Sequence, residues 1–303
     1  MKAKLFSLLF FSTFLLTTVF SATHNQIADM KILSWNIYML PYVSMFNGNG
    51  QRAKRIVEEL KHSDYQLIVF QEAFSSKCRK ILAAGLKETY PYQYGPVNKH
   101  HLPMRTNSGL WVLSKIPLQN RGEIAFKESE GFDKVARKGA VLFEGEFQHQ
   151  RFQLVATHLQ ADNPWQIREK QCGEIRDKLL LPNNRSDIPQ IICGDFNTDM
   201  DDNRNYSNML NTLDARNGDF SGDVKTTYDE IDNTLAKIAN GRKRIIDYVL
   251  VRNERFIDCI ERTIHTFVKP EAEKKQFLSD HYAIEAQISF KPPVEGVMAQ
   301  VAH

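Results

Sequence analysis

Apolar residues fall in short alternating runs along most of the chain, and helical spacing interrupts them in only a few places. Lys31 to Ile37 has strand character. The loop Asn47-Gly48-Asn49-Gly50 follows, and Gln51 to Lys61 then carries Ile56, Val57 and Leu60 at helical spacing. Gln66 to Phe70 is a short apolar strand that stops at Gln71-Glu72. Ser75 or Ser76 can cap a helix with Ile81, Leu82 and Leu86 on one side. Beyond it, Gly109 to Ser114, Gly139 to Phe147 and Phe152 to His158 read as strands separated by polar turns. A helix is expected from Pro164, in its first turn, to about Leu180. Ile188 to Gly194, Ile245 to Val251 and Tyr282 to Phe290 are further strands. Strands with helices between only some of them predict an α/β fold of two mixed sheets packed face to face, helices outside.

The first residues follow a different rule. Lys2 and Lys4 precede Leu5 to Phe20, which carries no charge, and small residues arrive at Ser21 and Ala22. This predicts an export signal over residues 1–21 and a single domain over 22–303. The run is shorter than the ~20 residues of a spanning helix and contains several Ser and Thr, which argues against a retained anchor. Export predicts a secreted, extracellular protein and permits disulfides. Cys78, Cys172, Cys193 and Cys259 allow three pairings, with a buried thiol the alternative at Cys193. The chain is 42% apolar and 25% charged, an ordinary globular balance. Without Lys2 and Lys4, 37 basic residues face 36 acidic ones, a weak invitation to nucleic acid.

Several strands end in a carboxylate, an amide or an imidazole. Asn36 and Glu72 follow the first two, His158 ends Leu154-Val155-Ala156-Thr157, and Asp195 and Asn197 follow Ile191-Ile192-Cys193-Gly194. Asp247 starts Tyr248-Val249-Leu250, and Asp280-His281 precede Tyr282-Ala283-Ile284. Strand ends are where a rigid scaffold displays its chemistry. In extended backbone Asp195 and Asn197 point the same way, with Phe196 anchored on the other face. Glu72 and Asp280 offer the hard oxygens that Mg²⁺ takes, and two histidines alongside can serve as acid and base. Each element alone is a common turn or surface residue; the ordered set is not.

The set Ser34-Trp35-Asn36, Gln71-Glu72, Thr157-His158-Leu159, Gly194-Asp195-Phe196-Asn197, Ile246-Asp247-Tyr248 and Ser279-Asp280-His281 resembles the endonuclease/exonuclease/phosphatase superfamily. The likeness runs from about Lys31 to Phe290 and implies a four-layer α/β sandwich. Asn36-Ile37-Tyr38-Met39-Leu40-Pro41, His158-Leu159-Gln160-Ala161-Asp162 and Ser279-Asp280-His281-Tyr282 look most like its bacterial neutral sphingomyelinase branch.

That resemblance implies phospholipase C-type hydrolysis of sphingomyelin to ceramide and phosphocholine by an Mg²⁺-dependent monomer, with Mn²⁺ or Co²⁺ as other divalent ions. Glu72, Asn36 and Asp280 would hold the metal. His281 would be the general base, oriented by Asp247. His158 would contact phosphate or protonate the leaving oxygen, and Asp195 and Asn197 would hold water and phosphate. One departure stands out. Host-damaging members of this branch carry a long hairpin with an exposed aromatic tip, whereas Lys269 to Leu278 is short and charged, so membrane contact is expected to be peripheral and weak. Phe277 and Leu278 are expected to pack beside the site. The loop with Tyr42, Met45 and Phe46 is an alternative interfacial contact. The competing readings are a secreted nuclease of the same fold and a non-catalytic binding module. Arg242-Lys243-Arg244 and Arg137-Lys138 read as solvated surface charge rather than a phosphate-tracking stripe.

Overall fold

The computed structural model describes residues 29–40, 48–98, 106–161, 164–268 and 276–291. The expected leader, the Tyr42–Phe46 loop and most of the charged stretch before Leu278 lie outside them. In chain order the elements are β1 (Met30–Asn36), α1 (Asn49–Leu60), β2 (Leu67–Gln71), α2 (Ser76–Leu86), β3 (Tyr92–Tyr94), β4 (Trp111–Ser114), β5 (Leu118–Ala125), β6 (Gly139–Phe147), β7 (Gln150–His158), α3 (Trp165–Ile175), β8 (Gln190–Asp195), α4 (Asn203–Leu213), β9 (Asp219–Ser221), β10 (Tyr228–Asp229), β11 (Lys243–Arg244), β12 (Asp247–Arg252), β13 (Ile257–His265) and β14 (Ala283–Phe290). One sheet runs β3-β4-β2-β1-β14-β13-β9 and a second β12-β8-β7-β6-β5, while β10 and β11 pair as a separate ribbon. Both sheets are mixed. β1 lies parallel to β2 and β7 parallel to β8, each joined through a helix, as parallel neighbours require.

The period of two along each strand sorts residues into layers. Ile32, Val69, Ile284, Ala286 and Ile288 of the first sheet meet Leu154, Ala156, Ile191, Cys193 and Val249 of the second in one apolar core. The intervening residues face outward. Leu33, Trp35, Ile68 and Phe70 pack under α1 and α2, and Val155, Ile192, Tyr248 and Leu250 pack under α3 and α4. This is the expected four-layer α/β sandwich. Fully burying each of these aliphatic side chains contributes about 1.5–3 kcal/mol, so the rows lock both register and face.

The short strands β3, β9, β10 and β11 escaped the pattern, and so did three longer elements that bury little. β5 is an edge strand, mostly exposed, with a bulge between Asn120 and Gly122. α4 buries only Met209 and Leu213 behind an Asn-rich surface. β13 has exposed or half-buried residues at most positions. The expected helix over 164–180 is also corrected. Pro164 is the extended residue before it, not part of its first turn, and the α-helix ends at Ile175, continuing as a single π turn over Arg176–Leu180. All four cysteines are free thiols, with Cys78, Cys172 and Cys193 buried and Cys259 exposed. Among the described residues no helix is long and apolar enough to cross a membrane.

Candidate active site

The residues predicted from strand ends all arrive at one end of the inter-sheet core. Register does this within the second sheet, where His158 and Asp247 both pair directly with Asp195 across neighbouring strands. Each shares the parity of its strand's inward row: Asp195 follows Ile191 and Cys193, His158 follows Leu154 and Ala156, and Asp247 precedes Val249 and Val251. Asn36 likewise extends the row of Met30 and Ile32 on β1. Carried on opposite sheets, Asn36 and Asp195 meet, Asn36 Nδ2 donating to Asp195 Oδ2 at 3.1 Å. Gly194 permits the close pairing of β8 with β7 that brings Asp195 beside His158, because a Cβ there would lie 1.9 Å from the Thr157 carbonyl oxygen of β7.

Beyond the strands the backbone turns sharply. Tyr38, Glu72 and Asn197 have φ of 51°, 55° and 50°, left-handed conformations that non-glycine residues adopt at some cost and that cluster at functional sites. The expected extended geometry at Asn197 is therefore corrected. Its backbone N–H folds back onto Asp195 Oδ1 at 2.9 Å, and its Nδ2 donates to the Leu159 carbonyl at 3.1 Å. Glu72, His158, Asp195, Asn197, Asp280 and His281 line a cavity of about 760 Å³, the size range of small-ligand sites. Asn36 and Asp247 support it, bonded to Asp195 and His281.

His281 is buried and held on every side. Its Nδ1 lies 2.9 Å from Asp247 Oδ2 and its Nε2 3.7 Å from Asp195 Oδ2. The Trp35 indole N–H donates to its carbonyl at 3.0 Å, and the Tyr228 ring packs 4.7 Å away. Burial disfavours the imidazolium, but Asp247, Asp195 and Asp280 outweigh it and raise His281 to about 10. His158 goes the other way: burial first, then the charges of Lys138 and His281, hold it well below its usual value. Two histidines that share Asp195 Oδ2, at 3.4 and 3.7 Å, are thus poised in opposite proton states. Divergence of this kind is how acid and base roles are separated.

Lys138 is a site residue that the sequence reading missed. It is 5% exposed, not surface charge. Its Nζ lies 2.9 Å from His158 Nε2, donates to the Leu159 carbonyl at 2.9 Å and pairs with Asp133 at 2.9 Å. A lysine donor at Nε2 makes His158 the Nδ1–H tautomer. Arg244 is corrected too: it lines the cavity, paired with Glu230 and stacked over Tyr228, whereas Arg242 lines the cavity but is solvated as expected. Arg52, 6% exposed inside α1, donates to the carbonyls of Ile37, Tyr38 and Leu278 and to Asn49 Oδ1, tying the loop after Asn36 to the segment entering Asp280. Arg-Lys and Lys-Arg dipeptides carry no periodic signal, so only the fold reveals which member turns inward.

The donor set fits a hard divalent cation. Glu72 Oε2 is a buried carboxylate oxygen with no hydrogen-bond partner. Burial and then the Asp280 charge push Glu72 up to about 7, and burial raises Asp280 as well. Two carboxylates that destabilise each other's charge, one with a free oxygen in a polar cavity, are what a bound cation would relieve. Asp195, Asp247 and His281 also bring ligand atoms within 4.8 Å of one another. That group is already engaged internally, since His281 bonds Asp247 and Asp195 accepts from Asn36 and Asn197. The unpaired oxygen favours Glu72 as the anchor.

This arrangement falls within residues 33–281, which match the Endonuclease/Exonuclease/phosphatase family. The chain belongs to that family. Among curated members, Sphingomyelinase C 2 of Leptospira interrogans serogroup Icterohaemorrhagiae serovar Lai (strain 56601) is 30% identical over 251 residues, covering 75% of this chain and 40% of the relative. Phospholipase C of Staphylococcus aureus is 26% identical over 242 residues, 73% of each. The chain spans less than half the length of the Leptospira relatives it matches. Among solved family structures, a mutant of beta toxin from Staphylococcus aureus with bound magnesium ions superposes with a TM-score of 0.76 at 25% identity, covering 86% of this chain and 99% of that one. Sphingomyelinase C from Streptomyces griseocarneus, at 22% identity and TM-score 0.76, shares the fold.

Proposed function

We propose that this family member is an exported, Mg²⁺-dependent phosphodiesterase that hydrolyses sphingomyelin to ceramide and phosphocholine. The observation that carries the chemistry is the Asp247–His281 pair facing Asp195 in the same cavity as the unpartnered Glu72 oxygen. The names borne by the similar bacterial proteins, sphingomyelinase C and phospholipase C, support the lipid substrate. The uncharged run from Leu5 to Phe20 supports export.

In this reading Glu72 and Asp280, with Asn36 beside them, would hold Mg²⁺. Bound there, the ion would supply Lewis-acid stabilisation of a phosphoryl oxygen. Asp195 and Asn197, fixed by their mutual turn, position water and phosphate. His281 takes a proton from the attacking water, and Asp247 fixes its ring and stabilises the imidazolium. In the cation-free protein His281 holds its proton tightly because Asp280 and Asp195 add to Asp247. A cation held by Asp280 would offset part of that field. The water oxygen bonds to phosphorus as the bond to the ceramide oxygen breaks. His158, held neutral, contacts the phosphate; the leaving oxygen takes its proton from water in the open cavity, and the proton gained by His281 passes to solvent. The deciding measurement is product release by purified protein with Mg²⁺ from sphingomyelin, phosphatidylcholine, a phosphoinositide and duplex DNA. Ceramide release is expected; nicking of DNA without ceramide release would transfer the assignment to a secreted nuclease.

A further inference from the structure

Five large apolar side chains stand well exposed among the described residues, and they are distributed unevenly. Leu181 and Tyr92 sit at the end of the sheets remote from the cavity. The carbonyl preceding Leu181 accepts from Gln190, which begins β8, whereas Asp195 ends it. Tyr92 pairs across from Ser114, itself opposite Leu67 at the start of β2. The other three, Val135, Ile231 and Ile238, exposed by 43%, 46% and 57%, belong to segments that feed the site. Val135 lies in the turn between Asp133 and Lys138. Ile231 and Ile238 lie in the loop from β10 to β11, whose base lines the cavity through Glu230, Arg242 and Arg244.

That loop is a built surface. Asp229 Oδ1 accepts the N–H groups of Ile231 and Asp232 at 3.0 and 2.9 Å, and the Ile238 N–H returns to the Glu230 carbonyl. Fully buried Asn233 donates to the carbonyls of Ser279 and Asp280 at 2.9 and 3.1 Å. The loop that carries the two isoleucines therefore also holds the backbone entering His281. Nothing in the packing requires either exposed position to be apolar, and water disfavours both.

We propose that the loop between β10 and β11, with the Val135 turn, is the surface that seats this enzyme on a zwitterionic lipid bilayer and lays the cavity mouth against the head groups. The proposal rests on the sphingomyelin reading above. Exposed Lys134 and Lys237 face lipid phosphates, but Lys243 and Arg244 are taken up by Asp229, Asp232 and Glu230, so the contact is chiefly apolar, shallow and reversible. Pairing inside the loop leaves little unopposed charge to attract an anionic surface.

The test is co-sedimentation of residues 22–303, without the expected export signal, with sphingomyelin–phosphatidylcholine vesicles in EDTA, alongside ceramide release from detergent micelles in Mg²⁺. The Ile231→Asn/Ile238→Asn protein is expected to lose about ten-fold in vesicle affinity, while Leu181→Asn, at the remote end, binds as wild type does. Raising NaCl from about 0.05 to about 0.5 M is expected to change wild-type binding little. Should the double variant melt early, Ile238→Trp replaces it, and its emission should shift to the blue on vesicles. Wild type that does not sediment, a double variant that sediments like wild type, or a Trp that stays unshifted overturns the surface. Isoleucine-dependent sedimentation without ceramide release would remove the sphingomyelinase reading and leave the surface standing.

Discussion

Asn36 and Asp195 are 159 residues apart in the chain and sit on different sheets, yet Asn36 Nδ2 and Asp195 Oδ2 are 3.1 Å apart at the open end of the shared core. Each is the last inward residue of its strand. The bond closes the sandwich with a polar pair at the point where apolar packing stops. It leaves Asp195 shared among both sheets and both histidines.

Glu72 is expected to be indispensable to cation binding. Glu72→Gln keeps the shape but removes the charge, and should cost at least about 10³-fold in turnover. Mg²⁺ should raise the melting temperature of wild type by mass action and leave that of Glu72→Gln unmoved. An equal Mg²⁺ shift in both proteins would displace Glu72 from this role. EDTA should abolish wild-type turnover, and Mg²⁺ should restore it.

For His281, the expected loss is that of a positioned base. His281→Ala should lower kcat by about 10²–10⁴-fold. Asp247→Asn should also lower kcat, because the amide cannot hold the imidazolium. Steady-state kinetics with matched Mg²⁺ binding decide the matter, and wild-type kcat in His281→Ala would assign the base elsewhere.

Lys138→Met should raise the pKa of His158. Burial is the largest cause of the low value and persists in the variant, while the next, the Lys138 charge, is gone. The midpoint should move up but stay below the usual histidine value of ~6.5. Proton NMR of the His158 ring reports it; an unchanged midpoint would mean the lysine charge is not felt there.

Gly194→Ala should destabilise the protein by about 3 kcal/mol, the range of core overpacking. The added methyl meets backbone at 1.9 Å, which no side-chain rotation relieves. Urea denaturation measures the loss, and a change below about 0.5 kcal/mol would show that β7 and β8 yield easily.

Remote from the site, Glu144 sets an acid-stability window. Burial opposes its charge, but Arg151, Gln153 and Arg121 outweigh burial and hold it down at about 2, against 4.5 in an unfolded chain. A depressed carboxyl adds stability that is complete above the unfolded value and disappears as pH falls through the folded one. Glu144→Gln should therefore melt below wild type at pH 7, with the gap closing between pH 4.5 and 2. A gap independent of pH would mean that the loss is one of packing.

Much of the site was legible because the period of two is a local property. In Ile191-Ile192-Cys193-Gly194-Asp195 the inward row turns from apolar to charged within the strand, and the same break marks His158 and Asp247. A strand buried on both faces has no solvated side for such a residue, so a polar end to an inward row signals a site. The core strands were legible for the same reason. β5 and α4 were not, since a segment that buries only a few side chains has little apolar pattern to show.

The sequence by itself determined the layered α/β sandwich and the residue types at its strand ends, because burial on alternating faces is written position by position. Only the tertiary structure decided which charges turn inward. Lys138 and Arg137 are adjacent and chemically alike, yet Lys138 is buried against His158 while Arg137 is exposed. Asp247 and Asp280 are both strand-end aspartates, yet one orients His281 while the other adds its charge to the cavity beside Glu72. Such choices depend on partners 20 to 159 residues away, brought within hydrogen-bonding distance by strand register and by the packing of one sheet on the other.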